Sequence, residues 1–342
     1  MNSPKEAVRV VIAGASSLLG KELKQILEES PPFVVSDIRL VDEEFVAGTL
    51  TEAGGEPALI ETVEEDTFDR VRFAFFTGSA EFSKRHAADA RRAGATVIDL
   101  SGGLLAEANA RPWIPALDAA LGPPAASAAP GEPQSLFVVP SAPADFAISV
   151  SAALAPLGLS RLALTVLQPV SEYGSDAIEE LESQVIKLLS FQPVPKTVFD
   201  AQVGFNMLSS YGPESGLKLP GARDRIVNES RKYLDGRAPL PALTLLQAPV
   251  FYSHTVAAYA EFKSAPSLEE VAARLQGAGL KVADAKEEPP ANVNVVGETR
   301  PVLKQPQRDP SIETGVWLWA AADNLRVPAA SAVAVAEKLL AS

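Results

Sequence analysis

The 342-residue sequence contains no cysteine, and this absence restricts its chemistry more than any other feature. Without sulfhydryl groups, the chain has no disulfide, no thiolate metal ligand and no thiol nucleophile. Histidine occurs only at His86 and His254, which excludes a histidine-rich zinc site. We therefore expect no metal cofactor, and we expect His86, in a polar helical segment, to be solvated.

Positive charge and long apolar runs are also scarce. The sequence has 30 Lys and Arg against 43 Asp and Glu, a net charge of −13, and no basic run that would follow a phosphate backbone. No stretch approaches the roughly 18 apolar residues of a membrane span, and a glycine turn begins at Gly14 before a signal-type segment develops. We expect a cytoplasmic protein with neither nucleic acid nor membrane as a partner.

The first half of the sequence alternates short apolar segments with segments of helical periodicity. The apolar segments are residues 8–13, 38–41, 73–76 and 96–100, and the helical ones are residues 21–27 and 83–93. This alternation predicts an α/β fold with a Rossmann-like, doubly wound parallel sheet. The Ala/Pro/Gly-rich residues 119–134 have no period and predict a surface excursion.

The second half has a different pattern. Residues 162–167 and 256–262 predict strands and residues 178–189 an amphipathic helix, with proline-rich connections between them. A helical segment at 328–340 is placed to return to the first domain. The sequence thus predicts a dinucleotide-binding-type domain of residues 1–140 plus 325–342, with an inserted α+β substrate and dimerisation-type domain at 141–324.

A glycine turn lies between the first predicted strand and helix. Free backbone N–H groups and the positive end of a helix dipole suit a pyrophosphate there, so the candidate cofactor-binding residues are Gly14, Ser16, Ser17, Leu18, Leu19 and Gly20. Ser17 occupies the middle glycine position, where its side chain either crowds a phosphate or donates a hydrogen bond to it. The alternative is an ordinary strand-to-helix turn.

Asp42 follows the second predicted strand, where a residue that contacts the adenosine ribose is expected. A carboxylate at this position accepts from a ribose 2′-hydroxyl and repels a 2′-phosphate. If NAD or NADP binds, Asp42 therefore favours NAD. A solvated acidic turn is the other interpretation of Asp42.

Beyond the glycine turn, several short motifs follow one another along the chain. They are residues 73–102, residues 165–171 with 179–181, residues 204–206, residues 229–232, residues 248–255 and residues 323–326. In this order they resemble the aspartate-semialdehyde dehydrogenases. The resemblance implies cofactor contacts from Gly78, Ser101, Gly102 and Asn324, a catalytic role for Gln168 and His254, and substrate contacts from Glu229 and Lys232.

The resemblance further implies a homodimer that carries out a reductive step of amino-acid biosynthesis. The family converts an acyl phosphate to an aldehyde with NADPH through a cysteine thioester. In this sequence, Asp145 occupies the position of the nucleophilic cysteine, and Gln247 and Leu105 occupy the positions of two substrate-binding arginines. Because a carboxylate is a poor replacement for a thiolate as nucleophile and leaving group, we expect the thioester reaction to be lost.

Three functional hypotheses remain open at this point. The first is a dimeric binding or regulatory homologue with a small-molecule ligand. The second is an active NAD(P)-dependent oxidoreductase that reduces a different carbonyl directly, with His254 or Asp145 as proton donor. The third is a structural partner of an active paralogue. We also predict a hydrogen bond or ion pair between His254 and Asp145, with a packing role for His254 as the alternative.

Overall fold

The computed structural model describes residues 8–33, 37–53, 56–122 and 135–341. Its described residues form two compact units. Among the described residues, the first unit draws on residues 8–33, 37–53, 56–115, 135–140 and 328–341, and the second on residues 116–122 and 141–327. The domain boundaries given above stay a prediction, and residues 123–134 of the predicted excursion lie outside the described residues.

The first unit contains a parallel sheet with helices that follow its strands. Its strands are β1 (Arg9–Ala13), β2 (Asp37–Asp42), β3 (Leu50–Ala53), β4 (Glu56–Leu59), β5 (Glu61–Thr62), β6 (Phe73–Phe76), β7 (Thr96–Asp99), β8 (Arg111–Pro112) and β9 (Leu136–Val138), and its first two helices are α1 (Leu18–Glu29) and α2 (Ala80–Arg92). The strand order is β5-β2-β1-β6-β7-β9-β8, with every neighbouring pair parallel, while β3 and β4 form a separate hairpin.

This strand order reverses between β1 and β6, at the point where doubly wound folds bind ligands. Strand β6, with the sequence Phe-Ala-Phe-Phe, is buried at every position, as expected for a parallel strand covered on both faces. The predicted Rossmann-like sheet is therefore confirmed, and its carboxyl edge lies beside the glycine turn after β1.

The second unit is built around a mixed sheet. Its elements are α3 (Asp118–Leu121), α4 (Ala142–Leu154), β10 (Leu159–Gln168), α5 (Ser175–Leu189), α6 (Leu219–Leu234), β11 (Ala242–Gln247), β12 (His254–Phe262), α7 (Leu268–Gly277), β13 (Lys281–Val282), β14 (Val302–Leu303), β15 (Gln307–Arg308) and β16 (Gly315–Ala322). The strand order is β11-β10-β12-β16-β14-β13. The β10–β11 pair is parallel, whereas β12 is antiparallel to both β10 and β16.

Helix α4 is buried along its whole length and packs against β10, α6 and α7. A helix that is apolar on all sides lies in a core, and this burial fixes the residues at its start. The final helix, α8 (Arg326–Ala341), supplies Ala329, Ala332 and Ala336 to the core of the first unit from residue 328 onward.

The sheet of the second unit has one buried and one open face. On the buried face, Val166, Val256 and Ala320 stand side by side on neighbouring strands. On the open face, a cross-strand row carries Thr165, Ala257 and Trp319, and the next row carries Ala163, Tyr259 and Trp317, all half-buried or exposed within the chain. In the described part of the chain, no helix has the length and apolar character to cross a bilayer.

Candidate functional site

The glycine turn of the first unit depends on close backbone contacts. Gly14 has φ +94°, and a Cβ at this position would lie 2.1 Å from the backbone nitrogen of Gly78. A Cβ on Gly20 would lie 2.5 Å from the carbonyl oxygen of Gly14. Gly14 and Gly20 are therefore needed for the close approach of β1, β6 and α1, because a Cβ at either position would overlap backbone atoms, and Gly14 also adopts a backbone conformation that favours glycine.

Ser17 serves as the N-cap of α1. Its hydroxyl oxygen accepts a hydrogen bond from the backbone N–H of Gly20 at 2.9 Å, and the hydroxyl donates to the Gly14 carbonyl at 2.8 Å. Of the two roles predicted for this side chain, crowding of a phosphate stays a prediction, whereas donation to a phosphate would compete with the bond to Gly14. The hydroxyl is instead committed to the turn, which the capping preference of serine explains.

The first turn of α1 leaves backbone donors available. The N–H groups of Leu18 and Leu19 have no hydrogen-bond acceptor among the described residues. Since unpaired N–H groups at a helix start favour an anion, this end of α1 suits a phosphate group. Asp42 is buried beside it and accepts hydrogen bonds from the backbone N–H groups of Ser16 and Glu43, both at 2.8 Å. Asp42 is thus not in a solvated turn.

The other candidate positions of the first unit lie after β7. The buried carboxylate of Asp99 accepts hydrogen bonds from the Ser101 hydroxyl and from the backbone N–H groups of Ser101 and Leu104. Gly102 adopts φ +73°, so the chain turns sharply at this point. Ser101 and Gly102 are consequently held in a fixed loop at the carboxyl edge of the sheet.

In the second unit, Asp145 lies in the first turn of α4 and is 6% exposed. One carboxylate oxygen accepts a hydrogen bond from the Ser149 hydroxyl at 3.2 Å. Burial raises the pKa of Asp145 to about 6, and the hydrogen bond from Ser149 partly opposes this effect. Asp145 is therefore a poorly solvated carboxyl group held within its own helix.

His254 begins β12 and is fully buried, and neither of its ring nitrogens has a hydrogen-bond partner among the residues that the structure describes. Its Nδ1 lies 3.9 Å from Oε1 of Glu172, in the turn after β10. Burial lowers the pKa of His254, while the Glu172 carboxylate acts in the opposite direction. The predicted contact between His254 and Asp145 is wrong, because Ser149 engages Asp145 within α4 and a different carboxylate faces the imidazole.

Asn324 connects the residues around His254. Its side-chain oxygen accepts from the Ser253 backbone N–H at 2.9 Å, and its amide nitrogen donates to Glu172 Oε1 at 3.0 Å. The structure therefore places this cofactor-contact candidate inside the second unit, where it orients Ser253 and Glu172. Ser253 has φ +68° although it is not glycine, which is a strained backbone state of the kind that recurs at functional sites.

The sequence analysis missed both Glu172 and Ser253. Glu172 immediately follows the motif 165–171, and Ser253 lies inside the motif 248–255. Their positions inside or beside these motifs were the available signal. Nothing in residue type or spacing, however, indicated that Glu172 would face the imidazole.

Gln247, which occupies the position of a substrate-binding arginine, is fully buried. Its side-chain oxygen accepts from the Tyr211 hydroxyl at 2.7 Å, and its amide nitrogen donates to the backbone oxygens of Gln168 and Ala248, both at 2.9 Å. Both amide hydrogens and the carbonyl oxygen are therefore used inside the protein. These hydrogen bonds give Gln247 a structural role, and a substrate contact from this residue stays a prediction.

Glu229 lies on α6 and is only 1% exposed. It accepts hydrogen bonds from the Ser141 backbone N–H at 3.0 Å and from Arg225 Nε at 2.8 Å. Through Ser141, which precedes α4, Glu229 fixes the start of the helix that carries Asp145. Lys232 is half-buried on the same helix.

A cavity of about 400 Å³ lies within the second unit. Polar side chains that line it are those of Ser141, Gln168, Glu172, Tyr173, Lys218 and Arg225. The buried side chain of Gln168 interacts there with the hydroxyl groups of Tyr173 and Tyr211. Neither Asp145 nor His254 is among the lining residues. Across the residues that the structure describes, no group of three or more His, Asp or Glu could hold a metal ion.

Comparison with known proteins gives matches over nearly the whole chain. Residues 9–145 match the NAD binding domain of semialdehyde dehydrogenases, and residues 152–327 match their dimerisation domain. A USG-1 protein homolog from Azotobacter vinelandii is 29% identical over 340 residues and covers 98% of both chains. Aspartate-semialdehyde dehydrogenase 2 from Vibrio cholerae is 27% identical over 337 residues, with 97% of each chain covered.

Solved structures give the same result. The structure of a probable aspartate-semialdehyde dehydrogenase from Pseudomonas aeruginosa superposes with a TM-score of 0.86 at 27% sequence identity. The match covers 98% of this chain and 99% of that chain. The two-unit architecture is therefore shared along the full length.

Proposed function

Because the chain belongs to the aspartate-semialdehyde dehydrogenase family, we propose that it is a homologue without the thioester reaction, retained as a dimeric binding or regulatory protein. The observation that carries this proposal is the absence of cysteine from the chain, and the family resemblance assigns Asp145 to the position of the nucleophile. A binding role is consistent with the cavity of the second unit.

The surroundings of Asp145 support the loss of nucleophilic chemistry. Attack by its carboxylate would form a mixed anhydride, and burial already makes the charged form costly. The imidazole of His254, which would act as acid and base beside a thiol, has Glu172 and not Asp145 as its nearby carboxylate. The two groups are therefore not coupled as a nucleophile and its base.

The substrate anchors are also replaced. The side-chain amide of Gln247 is fully hydrogen-bonded within the protein, and the uncharged side chain of Leu105 cannot form an ion pair with a substrate. Each lost charge-assisted hydrogen bond weakens binding by about 1.5–3 kcal/mol, so two losses reduce affinity by roughly a hundredfold to ten-thousandfold. An anionic acyl phosphate would bind weakly at these positions.

The test is an assay of phosphate-dependent oxidation of aspartate semialdehyde with NADP, run beside the Vibrio cholerae relative. We expect no turnover above the protein-free rate. The variant Asp145→Cys should also be inactive, since the arginine positions remain occupied by Gln247 and Leu105. Turnover by the unmodified chain at a rate close to that of the relative would contradict the proposal.

We further propose that the first unit binds a nicotinamide dinucleotide, with NAD favoured over NADP. The N–H groups of Leu18 and Leu19 are placed to receive a pyrophosphate, and the buried carboxylate of Asp42 disfavours a 2′-phosphate nearby. Calorimetric titration should give tighter binding of NAD. The variant Asp42→Asn, which keeps an acceptor for the Ser16 N–H, should bind NAD and NADP with more similar affinities. Tighter binding of NADP than of NAD by the unmodified chain would contradict this assignment.

A homodimer is proposed on the open face of the second unit's sheet. Its two cross-strand rows expose small and aromatic side chains, including Ala257, Tyr259, Trp317 and Trp319. A sheet face with exposed apolar side chains, left uncovered by the described residues, favours burial against a second copy. This location also falls within the residues that match the dimerisation domain.

A second candidate function is direct reduction of a less anionic carbonyl by NADH. It is favoured by the position of the Glu172 carboxylate 3.9 Å from Nδ1 of His254, which raises the pKa of the imidazole against the effect of burial. Carbonyl-dependent consumption of NADH, abolished in His254→Asn, would support it. Failure to bind either dinucleotide would exclude it.

A further inference from the structure

A groove at the surface of the first unit combines acidic walls with exposed apolar side chains beside it. We propose that it is a docking site for a basic, amphipathic segment of another protein, in which Lys or Arg lies beside large aliphatic side chains. The inference goes beyond the proposed function and does not depend on the cavity of the second unit. It rests on the β3–β4 hairpin, on residues 61–67 after it, and on the groove that both line.

Two adjoining cavities form this groove, each of about 390 Å³. The first is lined by Leu59 at the end of β4, by β5 and by the residues that follow β5. The second is lined partly by α2, through Asp89 and Arg92. Because Glu64 lines both cavities, they adjoin at this residue. Among the described strands β5 lies at the end of its sheet, so the first cavity is at an outer edge of that sheet.

The groove carries an excess of negative charge. Its carboxylates are those of Glu61, Glu64, Glu65, Asp66 and Asp89, and its cations are Arg39 and Arg92. Arg39 donates to the backbone oxygens of Asp66 and Thr67, and Arg92 pairs with Asp89, so both cations are already engaged. The other four carboxylates form no ion pair among the described residues. This charge attracts a cationic partner and repels nucleic acid and anionic lipid.

Apolar side chains are exposed beside these acidic walls. Leu50 and Leu59 lie directly opposite each other on β3 and β4 and are 69% and 56% exposed. Ala58, on the other face of the hairpin, packs against the core of the first unit, so both leucines lie on the face that this unit leaves open. Phe45, in the helical turn before β3, is 86% exposed. Large exposed apolar groups beside a groove favour a protein partner.

The combination of charge and apolar surface selects the class of partner. A small cation such as a polyamine would leave the two leucines uncovered, and a purely apolar partner would desolvate the carboxylates without supplying a counter-charge. A second copy of this chain, with its net charge of −13, would be repelled at the same groove. A segment that presents Lys or Arg together with aliphatic side chains matches both parts of the surface.

The test measures binding of model peptides to the full chain by fluorescence anisotropy. The probe is a helix-forming peptide of about 14 residues built from Leu and Lys, with the leucines on one face. In one control peptide Glu replaces Lys, and in the other Ala replaces Leu. We expect the Leu/Lys peptide to bind at least about tenfold more tightly than either control, because it alone carries both the positive charge and the apolar side chains.

Variants of the groove locate the binding on the protein. Leu59→Ser should weaken binding of the Leu/Lys peptide about tenfold, and Glu64→Gln, at the junction of the two cavities, about threefold. The matched controls are Leu189→Ser and Glu182→Gln, at exposed positions of α5 in the second unit. Both should bind the peptide as the unmodified chain does.

Thermal melts of each variant confirm that any change in affinity occurs in folded protein. The proposal is overturned if the Leu/Lys peptide does not bind, if Leu59→Ser binds it as tightly as the unmodified chain, or if the Ala/Lys peptide binds equally well, which would show a response to charge alone. A change of oligomeric state in Leu59→Ser, measured by sedimentation velocity, would assign the surface to a second copy. Turnover of aspartate semialdehyde would refute the proposed function but would leave these binding measurements unaffected.

Discussion

Replacing Asp145 with asparagine is predicted to stabilise the protein at neutral pH. Burial raises the pKa of this carboxyl group to about 6 from an ordinary value of 3.8, so the folded protein binds the proton more tightly than the unfolded chain does. The stability from this protonation is fully present below about pH 4, and it is lost as the pH rises through 6. Above pH 7, the charged Asp145 is thus a cost to folding.

The size of the effect follows from the difference between the two pKa values. A difference of about 2 corresponds to about 3 kcal/mol, at about 1.4 kcal/mol for each pKa unit. Because the start of α4 favours negative charge, this figure is an upper value. Asparagine has nearly the same shape, keeps an oxygen that accepts from Ser149, and carries no charge at any pH. We expect the free energy of unfolding of Asp145→Asn to exceed that of the unmodified chain by about 2–3 kcal/mol at about pH 7.5. Near pH 4 the two proteins should have the same free energy of unfolding.

The assay is urea unfolding followed by fluorescence and circular dichroism at several pH values between about 4 and 8. Asp224→Asn is the matched control, because Asp224 is exposed and paired with Arg223 on the surface of the same unit. Its free energy of unfolding should change by less than about 0.5 kcal/mol at every pH. A gain for Asp145→Asn that does not depend on pH, or a loss of stability at pH 7.5, would refute the reasoning.

Three further variants test other parts of the structure. Ser17→Ala removes the acceptor for Gly20 and should lower the free energy of unfolding by about 1 kcal/mol, measured in urea. Gln247→Arg places an unpaired, buried cation beside the Tyr211 hydroxyl and should lower the free energy of unfolding by about 3 kcal/mol without restoring catalysis. A stable, active variant would contradict the structural role of Gln247. Ala257→Glu places like charges on the open sheet face of both copies and should convert a dimer to a monomer in sedimentation velocity, whereas an unchanged dimer would place the interface elsewhere.

The alternation of apolar and helical segments was sufficient to predict the architecture. The segments at 73–76 and 96–100 correspond to β6 and β7, and the predicted helix 178–189 lies inside α5. Periodicity of 2 or 3.6 residues is a local property that burial imposes on the sequence, so it can be read without knowledge of tertiary contacts. The order of the short motifs between residues 73 and 326 likewise identified the family. The order of motifs can be read from the sequence without knowledge of side-chain positions.

The side-chain contacts at the candidate site could not be obtained in this way. His254 and Asp145 are 109 positions apart by number, and nothing in the sequence indicated that Glu172 would lie nearer to the imidazole. Ser17 occupies a glycine position, yet only the structure showed its hydroxyl directed to Gly14. Hydrogen-bond partners depend on where strands and helices cross, and that is a property of the packed chain.

The absence of cysteine was determined by the sequence alone, and with it the loss of any thioester chemistry that uses a residue of this chain. Only the tertiary structure showed that Asp145 is buried and accepts a hydrogen bond within its own helix, that the Gln247 amide is fully hydrogen-bonded, and that Lys218, Arg225 and Glu172 line one cavity. The physical reason is that composition fixes which reactions lack a functional group, whereas binding depends on distance, burial and charge, which arise when separate segments pack together.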